Sequence, residues 1–300
     1  MLLYNKNPLT ITMSKIRIKI FSSFCSSSRA KEVYEKICKT SNMTNYGSDK
    51  DIYLLGDEDN DYTHAIIWNT AMPALTIPKE NVVGLAFEPP SFLGLSHEFV
   101  SYVQKYVGKY HIGQKLDGLP DEFVEKYSYM GHSIISSPIQ KKTRVMSIIV
   151  SQKIYAPGHK YRHSLVQRII QERLPVYIYG RGTRFYNYEF NMGEFQNLEP
   201  FETYMYSICI ENYKTPHYFS EKIIDPVICE CMPVYWGCEH MGEYLDSDCF
   251  HVITGNVDQD IETIKNILRD PMKYYKQPMN DKFANKINIL KNIDALFPSV

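Results

Sequence analysis

The stretch from residue 206 to residue 238, YSICIENYKTPHYFSEKIIDPVICECMPVYWGC, decides the predicted fold. Its first residues alternate between apolar and polar side chains, a pattern that predicts a half-buried strand ending at Glu211. A helix is predicted next, with Ser220 as its N-cap and Pro233 as its end. The apolar run VYWG, residues 234–237, predicts a short buried strand. A strand–loop–helix–strand unit of this kind places its loop at the carboxyl edge of a parallel sheet, where such sheets bind ligands.

A cluster of polar residues falls on this loop and on the first turn of the helix. Its members are Asn212, Tyr218, Ser220, Glu221 and Lys222. The free N–H groups and partial positive charge of a helix N-terminus favour phosphate, a lysine adds a full charge, and a glutamate accepts hydrogen bonds from sugar hydroxyls. The same residues are also typical of an ordinary capped helix with charged side chains on its solvent face. Spacing alone leaves both interpretations open.

The rest of the chain alternates predicted strands and helices, which is typical of parallel α/β sheets. In the first half, strands are predicted at 15–21, 51–55, 64–68, 82–87 and 109–112, with helices at 30–39 and 96–106. In the second half, further strands are predicted at 145–150, 176–179 and 250–253, with helices at 160–172, 258–269 and 281–294. A polar, turn-rich segment, 113–142, lies between the two halves.

Length and composition set the remaining limits. The 300 residues suit two domains, and we predict an N-terminal extension over 1–14, one α/β domain over 15–140 and a second over 141–300. A net charge of −1 gives no reason to expect nucleic acid or a membrane surface as a partner, although a peripheral membrane contact stays open. No signal peptide or transmembrane segment is predicted, and the odd number of seven cysteines is expected to be reduced. These features predict a cytoplasmic protein.

The order of the polar residues resembles that of a known family. The pattern Y-F-S-E-K at 218–222, after Asn212 and before P-V-Y-W-G at 233–237, closely resembles the donor-binding segment of the α1,3/α1,4-fucosyltransferases, glycosyltransferase family ten. Three further motifs extend the resemblance, namely SIIVSQ at 147–152, YRHSLVQRI at 161–169 and VYIYGRG at 176–182, although Gln152 stands where the family has asparagine.

The resemblance implies roles for individual donor-side residues. Arg162 and Lys222 are expected to hold the donor diphosphate, since a cation at a helix start pairs well with phosphate oxygens. The contacts with base, ribose or sugar are expected from Asn212, Tyr218, Ser220 and Glu221. The backbone is expected to approach the nucleotide at Gly180 and Gly182.

In the first half, GLAFEPPSF at 84–92 resembles the family motif whose glutamate is the proposed general base. The resemblance therefore implies that Glu88 is catalytic. Pro89 departs from the serine or asparagine of the family. In isolation Glu88 is more typical of a turn carboxylate after a strand. The alternative candidates for the base are Asp121, Glu122 and Glu125.

Fold and reaction follow from the resemblance as expectations. It implies an α/β protein of the GT-B type, with two Rossmann-like domains facing a cleft. It implies an inverting fucosyltransferase that moves L-fucose from GDP-β-L-fucose to a hydroxyl of a glycan acceptor that contains N-acetylglucosamine, with no required cofactor or essential metal. Two alternatives stay open, namely another nucleotide-deoxyhexose donor and a catalytically inactive glycan-binding homologue.

Other function classes are poorly supported by the sequence. A Rossmann epimerase or dehydrogenase would need a glycine-rich turn after the first strand, and residues 20–30 contain no glycine. The pattern C-x-C…C-x-H at 229–240 lacks the usual spacing of zinc ligands. D-x-D occurs at 57–59, 59–61, 246–248 and 258–260, which is too often to identify a metal site, and we predict none.

Overall fold

The structure is a computed structural model that describes residues 16–40, 43–129, 140–278 and 280–297. The predicted extension at 1–14 and residues 130–139 of the polar segment between the two halves lie outside the described residues. Within the described ranges, the strands form two parallel sheets of six strands each. The predicted α/β class is therefore confirmed.

The first sheet has the strand order β2-β1-β3-β4-β5-β6. Its strands are β1 (Ile16–Ser22), β2 (Ile52–Leu55), β3 (His64–Trp68), β4 (Val82–Leu85), β5 (Lys109–Ile112) and β6 (Phe123–Glu125). All four residues of β4 are buried, as expected for a central strand of a parallel sheet that is covered on both faces. The order reverses between β1 and β3, so the carboxyl edge there is the predicted ligand position of an open α/β sheet.

The second sheet has the strand order β12-β11-β10-β7-β8-β9. Its strands are β7 (Arg144–Ile149), β8 (Val176–Tyr179), β9 (Asn191–Gly193), β10 (Tyr204–Thr215), β11 (Met232–Cys238) and β12 (His251–Val252). Counted from its own first strand, this sheet has the doubly wound order of nucleotide-binding folds. Its order reverses between β7 and β10, which places the expected ligand site at their carboxyl ends.

The α-helices connect and cover the strands. They are α1 (Ser27–Thr40), α2 (Pro90–Leu93), α3 (His97–Tyr106), α4 (Pro157–Gln171), α5 (Glu199–Glu202), α6 (Glu221–Ile228), α7 (Val257–Arg269), α8 (Pro271–Tyr274), α9 (Asn280–Ile287) and α10 (Ile293–Leu296). Among the described residues we find no helix with both the length and the apolar character needed to cross a bilayer.

The end of the chain packs against the first sheet. Ile293 and Leu296 of α10 are buried in the same apolar cluster as Ile18 and Ile20 of β1. The last described residues of the chain therefore help to stabilise its N-terminal half. The predicted domain boundary at residue 140 falls between β6 and β7, and it stays a prediction.

The deciding stretch differs from its prediction in two respects. β10 does not end at Glu211 but continues to Thr215. All its residues from Tyr206 to Glu211 are buried, so the prediction of a half-buried strand is wrong. Pro233 does not end α6 but lies inside β11, opposite Ser207. A proline is tolerated there because the recorded pairing with β12 starts only at Val234, so no ladder hydrogen bond needs its missing N–H group.

Gly158 sets the distance between α4 and β10. A Cβ atom at this position would lie 1.8 Å from the carbonyl oxygen of Glu211 and 3.0 Å from that of Asn212. Only glycine permits this approach, because a backbone carbonyl cannot rotate away as a flexible side chain would. The glycine thereby fixes where the first turns of α4 meet the carboxyl edge of the second sheet.

The Gly158→Ala variant is expected to lower the free energy of unfolding by about 1–3 kcal/mol, the usual cost of forcing a methyl group into packed space. Urea denaturation measures this change. Gly242→Ala is the matched control, since a Cβ atom there meets nothing within 4 Å. Equal unfolding midpoints for both variants would show that the close approach is not a constraint.

Candidate active site

A cavity of about 490 Å³ lies at the carboxyl edge of the second sheet and is lined by residues from both halves of the chain. Most of the residues predicted for the site line it, and they are Glu88, Arg162, Asn212, Tyr218, Glu221 and Lys222. The cavity brings the predicted base from the first half together with the predicted donor-binding residues from the second half. Ser220, Gly180 and Gly182 do not line it.

Glu88 is held between β4 and α2 by a rigid backbone. Pro89 is the N-cap of α2 with extended dihedral angles, and Pro90 is the first residue of the helix. The preceding residue, Phe87, donates a backbone hydrogen bond of 2.8 Å to Oδ1 of Asn69. Since both prolines have a fixed φ and the residue before a proline is restricted to extended geometry, the backbone that carries the Glu88 side chain has a defined position.

The Glu88 carboxylate is an unusual acceptor. Its Oε2 atom is buried and has no hydrogen-bond partner among the described residues. Burial raises the pKa of Glu88, and the positive charge of Lys222 opposes this shift while the negative charge of Glu221 adds to it. A partly buried carboxylate with a raised pKa and an oxygen that has no recorded partner is suited to take a proton.

Arg162 lies in the second turn of α4, slightly beyond the helix start at which the family resemblance places it. Its side chain is buried, and Nη2 donates a hydrogen bond to the carbonyl oxygen of Ile210 in β10. Burial lowers the pKa of Arg162, and the carboxylates of Glu211 and Glu221 oppose that shift. The guanidinium is therefore anchored to the sheet while its side chain lines the cavity.

Lys222 is held by a network at the start of α6. Its Nζ atom lies 2.9 Å from Oε1 of Glu221, 2.9 Å from Oγ of Ser220 and 3.5 Å from Oε2 of Glu211. Burial acts to lower the pKa of Lys222, but the carboxylates of Glu211 and Glu221 raise it above the ordinary value. The ammonium group is thus kept charged at the helix N-terminus, where an anion would also be favoured.

Ser220 is the helix N-cap, as predicted, and its side chain accepts from the backbone N–H of Lys222. It is buried behind the cavity and contacts Glu211. Its backbone N–H donates to Oε1 of Glu211 at 2.9 Å, and its hydroxyl donates to Oε2 at 2.7 Å. Ser220 therefore helps to position Lys222 without lining the cavity itself. Its predicted contact with the donor nucleotide sugar stays a prediction.

Three residues in or behind the cavity are not named by the motif resemblance, namely Glu211, Lys153 and His159. Glu211 was interpreted only as the end of a strand, yet it is completely buried. A glutamate directly at the end of an apolar run was the signal that could have identified it. Unlike Glu211, Lys153 and His159 line the cavity. Burial together with the charges of Arg162 and Lys153 lowers the pKa of His159 to about 4, so the ring is neutral near pH 7.

Gly180 and Gly182 serve the packing of the turn after β8. A Cβ atom at Gly180 would lie 2.5 Å from the carbonyl oxygen of Val150, and one at Gly182 would lie 2.5 Å from that of Ser151. Gly180 also has a φ of +98°, which side chains rarely adopt. Their predicted approach to a nucleotide stays a prediction.

The alternative candidates for the base do not line the cavity. Glu122 pairs with Lys79 at 2.7 Å, and Glu125 accepts from the backbone N–H of Lys115 at 2.8 Å. Asp121 is exposed. Glu88 is therefore the candidate that the geometry favours.

The D-x-D aspartates have structural partners. Asp57 accepts from backbone N–H groups at the start of α1, Asp248 pairs with Lys276, and Asp260 accepts from Thr254, Gly255 and Tyr161. Within the described residues, no group of three or more histidine, cysteine, aspartate or glutamate side chains is placed to hold a metal ion.

The fold is similar to that of solved glycosyltransferases. Two crystal structures of an α1,3-fucosyltransferase, one of them with GDP, match 96% of this chain and 91% of their own, at 16% identity and a TM-score of 0.56. The crystal structure of TarM matches 78% of this chain and 54% of its own, at 11% identity and a TM-score of 0.50. These likenesses confirm the predicted GT-B type of fold.

One curated relative matches at the level of sequence. "Putative fucosyltransferase R654" of Acanthamoeba polyphaga mimivirus is 26% identical over an alignment of 113 residues, and the match covers 33% of this chain. The match spans only 18% of the length of that protein. No protein-family model matches the chain. The resemblance to fucosyltransferases that the sequence motifs predict is confirmed by these comparisons.

The Glu211→Gln variant tests the buried carboxylate. Burial raises the pKa of Glu211, with Lys222 acting against it. Because the pKa of Glu211 is higher in the folded state than in the unfolded state, the protonated side chain contributes to the stability of the folded protein below the unfolded-state pKa. That contribution is lost as the pH rises through the folded-state pKa. Because glutamine has no charge to bury, we expect the stability of Glu211→Gln relative to wild type to increase from pH 4 to pH 8, by about 1.4 kcal/mol for each unit of pKa difference.

Urea unfolding at several pH values measures this trend. Glu239→Gln is the matched control, since Glu239 is half exposed and pairs with Lys214 on the surface of the same sheet. A stability difference between Glu211→Gln and wild type that stays constant with pH would contradict the assignment.

Proposed function

We propose that this protein is an inverting glycosyltransferase that moves L-fucose from GDP-β-L-fucose to a hydroxyl group of a glycan acceptor. The observation that carries the proposal is the shared cavity, in which Glu88 of the first half faces the same space as Arg162 and Lys222 of the second half. The similarity of the fold to an α1,3-fucosyltransferase with bound GDP supports the identity of the donor.

The donor side supplies positive charge where a leaving diphosphate develops negative charge. The cationic residues that line the cavity are Lys153, Arg162 and Lys222. Arg162 and Lys222 are held in place before any ligand arrives, by Ile210 and by the Ser220–Glu211 pair. Fixed charges of this kind stabilise a transition state without reorganising. We therefore propose that transfer needs no essential divalent metal.

The acceptor side supplies a base. The acceptor hydroxyl loses its proton as its oxygen attacks the anomeric carbon. We propose that Glu88 takes that proton, and the absence of a recorded hydrogen-bond partner for its Oε2 atom supports this role. The bond between the anomeric carbon and the diphosphate oxygen breaks in the same step, and GDP leaves. A single displacement from the face opposite the leaving group inverts the anomeric centre.

A donor screen tests the whole proposal. Release of GDP, UDP or dTDP is followed from a panel of nucleotide sugars, with and without EDTA and with glycan acceptors. We expect GDP release from GDP-fucose that depends on an acceptor and survives EDTA. Turnover of only another nucleotide sugar, or binding without turnover, would instead support one of the two alternatives from the sequence.

Lys222→Ala is expected to weaken GDP binding about 10- to 100-fold, since a hydrogen bond to a charged group is worth roughly 1.5–3 kcal/mol. Calorimetry measures the dissociation constant. The control is Lys214→Ala, which removes a half-exposed lysine of β10 that pairs with Glu239 away from the cavity. Equal GDP affinity in both variants would contradict the placement of the donor phosphates. Because Lys222→Ala also removes the counter-charge of Glu211, and Arg162→Ala breaks the buried bond to Ile210, the unfolding midpoints of both variants are measured as well.

Glu88→Gln is expected to lower kcat about 10²- to 10⁴-fold while GDP affinity stays near wild type, because a general base contributes to turnover and not to donor binding. The base must be ionised to accept a proton, so the wild-type kcat/KM should fall as the pH drops through the pKa of Glu88. Since burial raises this pKa, the fall should occur at a higher pH than for an ordinary glutamate. Stopped assays across pH measure both effects. Glu122→Gln is the control for the alternative base, and a loss of kcat in that variant instead would reassign the role.

A further inference from the structure

The cavity that contains Glu88 extends well beyond the cations that line it. Arg162 is anchored to the carbonyl oxygen of Ile210, whereas the lining of the cavity continues back along β10 as far as Ser207. A strand rises about 3.3 Å per residue, so this part of the cavity, which we call the inner end, is roughly 10 Å long. Phosphate groups held by Arg162 would leave it empty. The inner end therefore has room for another part of the same ligand.

The helix α6 runs alongside this inner end. β10 and β11 are parallel neighbours and α6 connects them, so α6 runs back antiparallel to β10. Asp225 lies one helical turn after Glu221, on the same face of α6, and its partly exposed side chain lines the cavity. Burial raises the pKa of Cys209, which also lines the inner end, and the carboxylate of Asp225 adds to that shift. The helix thus brings a carboxylate into the inner end.

The positive charges lie elsewhere in the cavity. Among the described residues that line it, the cations are Lys153, Arg162 and Lys222. Burial raises the pKa of Glu88 while Lys222 and Lys153 act against this shift, so both lysines lie near that carboxylate. A carboxylate at the inner end repels phosphate and favours an uncharged group that donates hydrogen bonds.

The other walls of the inner end are apolar and aromatic. They are formed by Ile149 at the end of β7 and by the rings of Phe195 and Phe201. Phe201 is buried, and the partly exposed Phe195 ring makes an edge contact with Tyr179 at 6.1 Å. Asn197, between the two phenylalanines in sequence, also lines the cavity and has a φ of +50°, which asparagine tolerates better than most residues. Flat apolar walls of this kind suit a nucleobase.

The polar groups of α6 follow the order of the parts of a nucleoside diphosphate. The ammonium group of Lys222, at the helix start, suits a phosphate, and the adjacent carboxylate of Glu221 suits sugar hydroxyls. Asp225 lies about 6 Å farther along the helix axis than Glu221, since an α-helix rises about 1.5 Å per residue. It therefore faces the place where a nucleobase would follow the ribose.

We propose that the inner end of the cavity binds the base of the donor nucleotide and that Asp225 selects guanine. The Watson–Crick edge of guanine presents two adjacent donors, N1–H and the 2-amino group, and one carboxylate can accept from both. The amide of Asn197 can donate to the guanine O6 atom. Uracil and thymine present a single N–H group between two carbonyl oxygens, which a carboxylate repels. This inference rests on the proposed function, because the base belongs to the donor of that reaction.

Calorimetry with two nucleotides tests the selection. Inosine diphosphate differs from GDP only in lacking the 2-amino group. The wild-type protein is expected to bind GDP roughly 10- to 100-fold more tightly than inosine diphosphate, as for the loss of one hydrogen bond to a charged group. In Asp225→Ala the affinity for GDP should fall, and the preference for GDP over inosine diphosphate should disappear. A carboxylate that only supports α6 or binds ribose would weaken both nucleotides equally and leave the preference intact.

Two further variants complete the experiment. Asp225→Asn keeps the shape of the side chain, so it replaces the alanine variant if that variant does not fold, and it should also lose most of the preference because an amide NH₂ group cannot accept. Asp258→Asn is the matched control, since Asp258 pairs with Arg168 at 2.9 Å on the surface of the same half. It should retain the wild-type preference.

The outcomes separate this inference from the proposed function. Equal binding of GDP and inosine diphosphate by the wild-type protein, or a preference that both Asp225 variants retain, would overturn the role of Asp225. If GDP still binds tightly in that case, the proposed donor stands and only the selection by Asp225 fails. Binding of UDP or dTDP without binding of GDP would overturn the proposed donor and guanine selection together.

Discussion

The interaction on which the candidate site depends is the burial of the Glu211 carboxylate. A completely buried carboxylate is expensive unless hydrogen bonds and an opposite charge compensate it. Here the compensation comes from both donors of Ser220 and from the ammonium group of Lys222. This group of three ties the end of β10 to the first turn of α6, so the strand and the helix cannot shift independently. The position of Lys222 at the cavity follows from that constraint.

Close backbone packing surrounds the same residue. A Cβ atom at Gly158 would strike the Glu211 carbonyl oxygen, and one at Gly237 would lie 2.5 Å from Cγ of Glu211. The glycines let α4 and β11 approach β10 directly, and α4 carries Arg162. Two cations from two helices are thereby placed relative to one strand. Preorganisation of this kind is what an electrostatic site needs, since charges already in position do not have to be ordered by the ligand.

Much of this molecule could be predicted from its sequence, for identifiable reasons. The longer strands have continuous or alternating apolar residues, and the polar loop before α6 has a recognisable order of residue types. The three-residue strands β6 and β9 are too short to show a period, so their pairing is decided by neighbouring strands. Pro233 was misjudged because local propensity ends a helix at proline, whereas its actual neighbours leave its nitrogen without a hydrogen-bonding role.

The residues of the candidate site also divide into those that could be predicted from the sequence and those that could not. Residues that act through their own chemistry at a sheet edge, such as Glu88 and Lys222, could be named from motif resemblance, and the cavity contains them. Glu211 could not, because its importance comes from burial and from contacts between elements. The cavity that contains Glu88 lies at the carboxyl edge of the second sheet, near the point at which the strand order of that sheet reverses. Glu88 itself follows β4 of the first sheet, so the proposed base and the donor-side charges of Arg162 and Lys222 face one space although distant parts of the chain supply them.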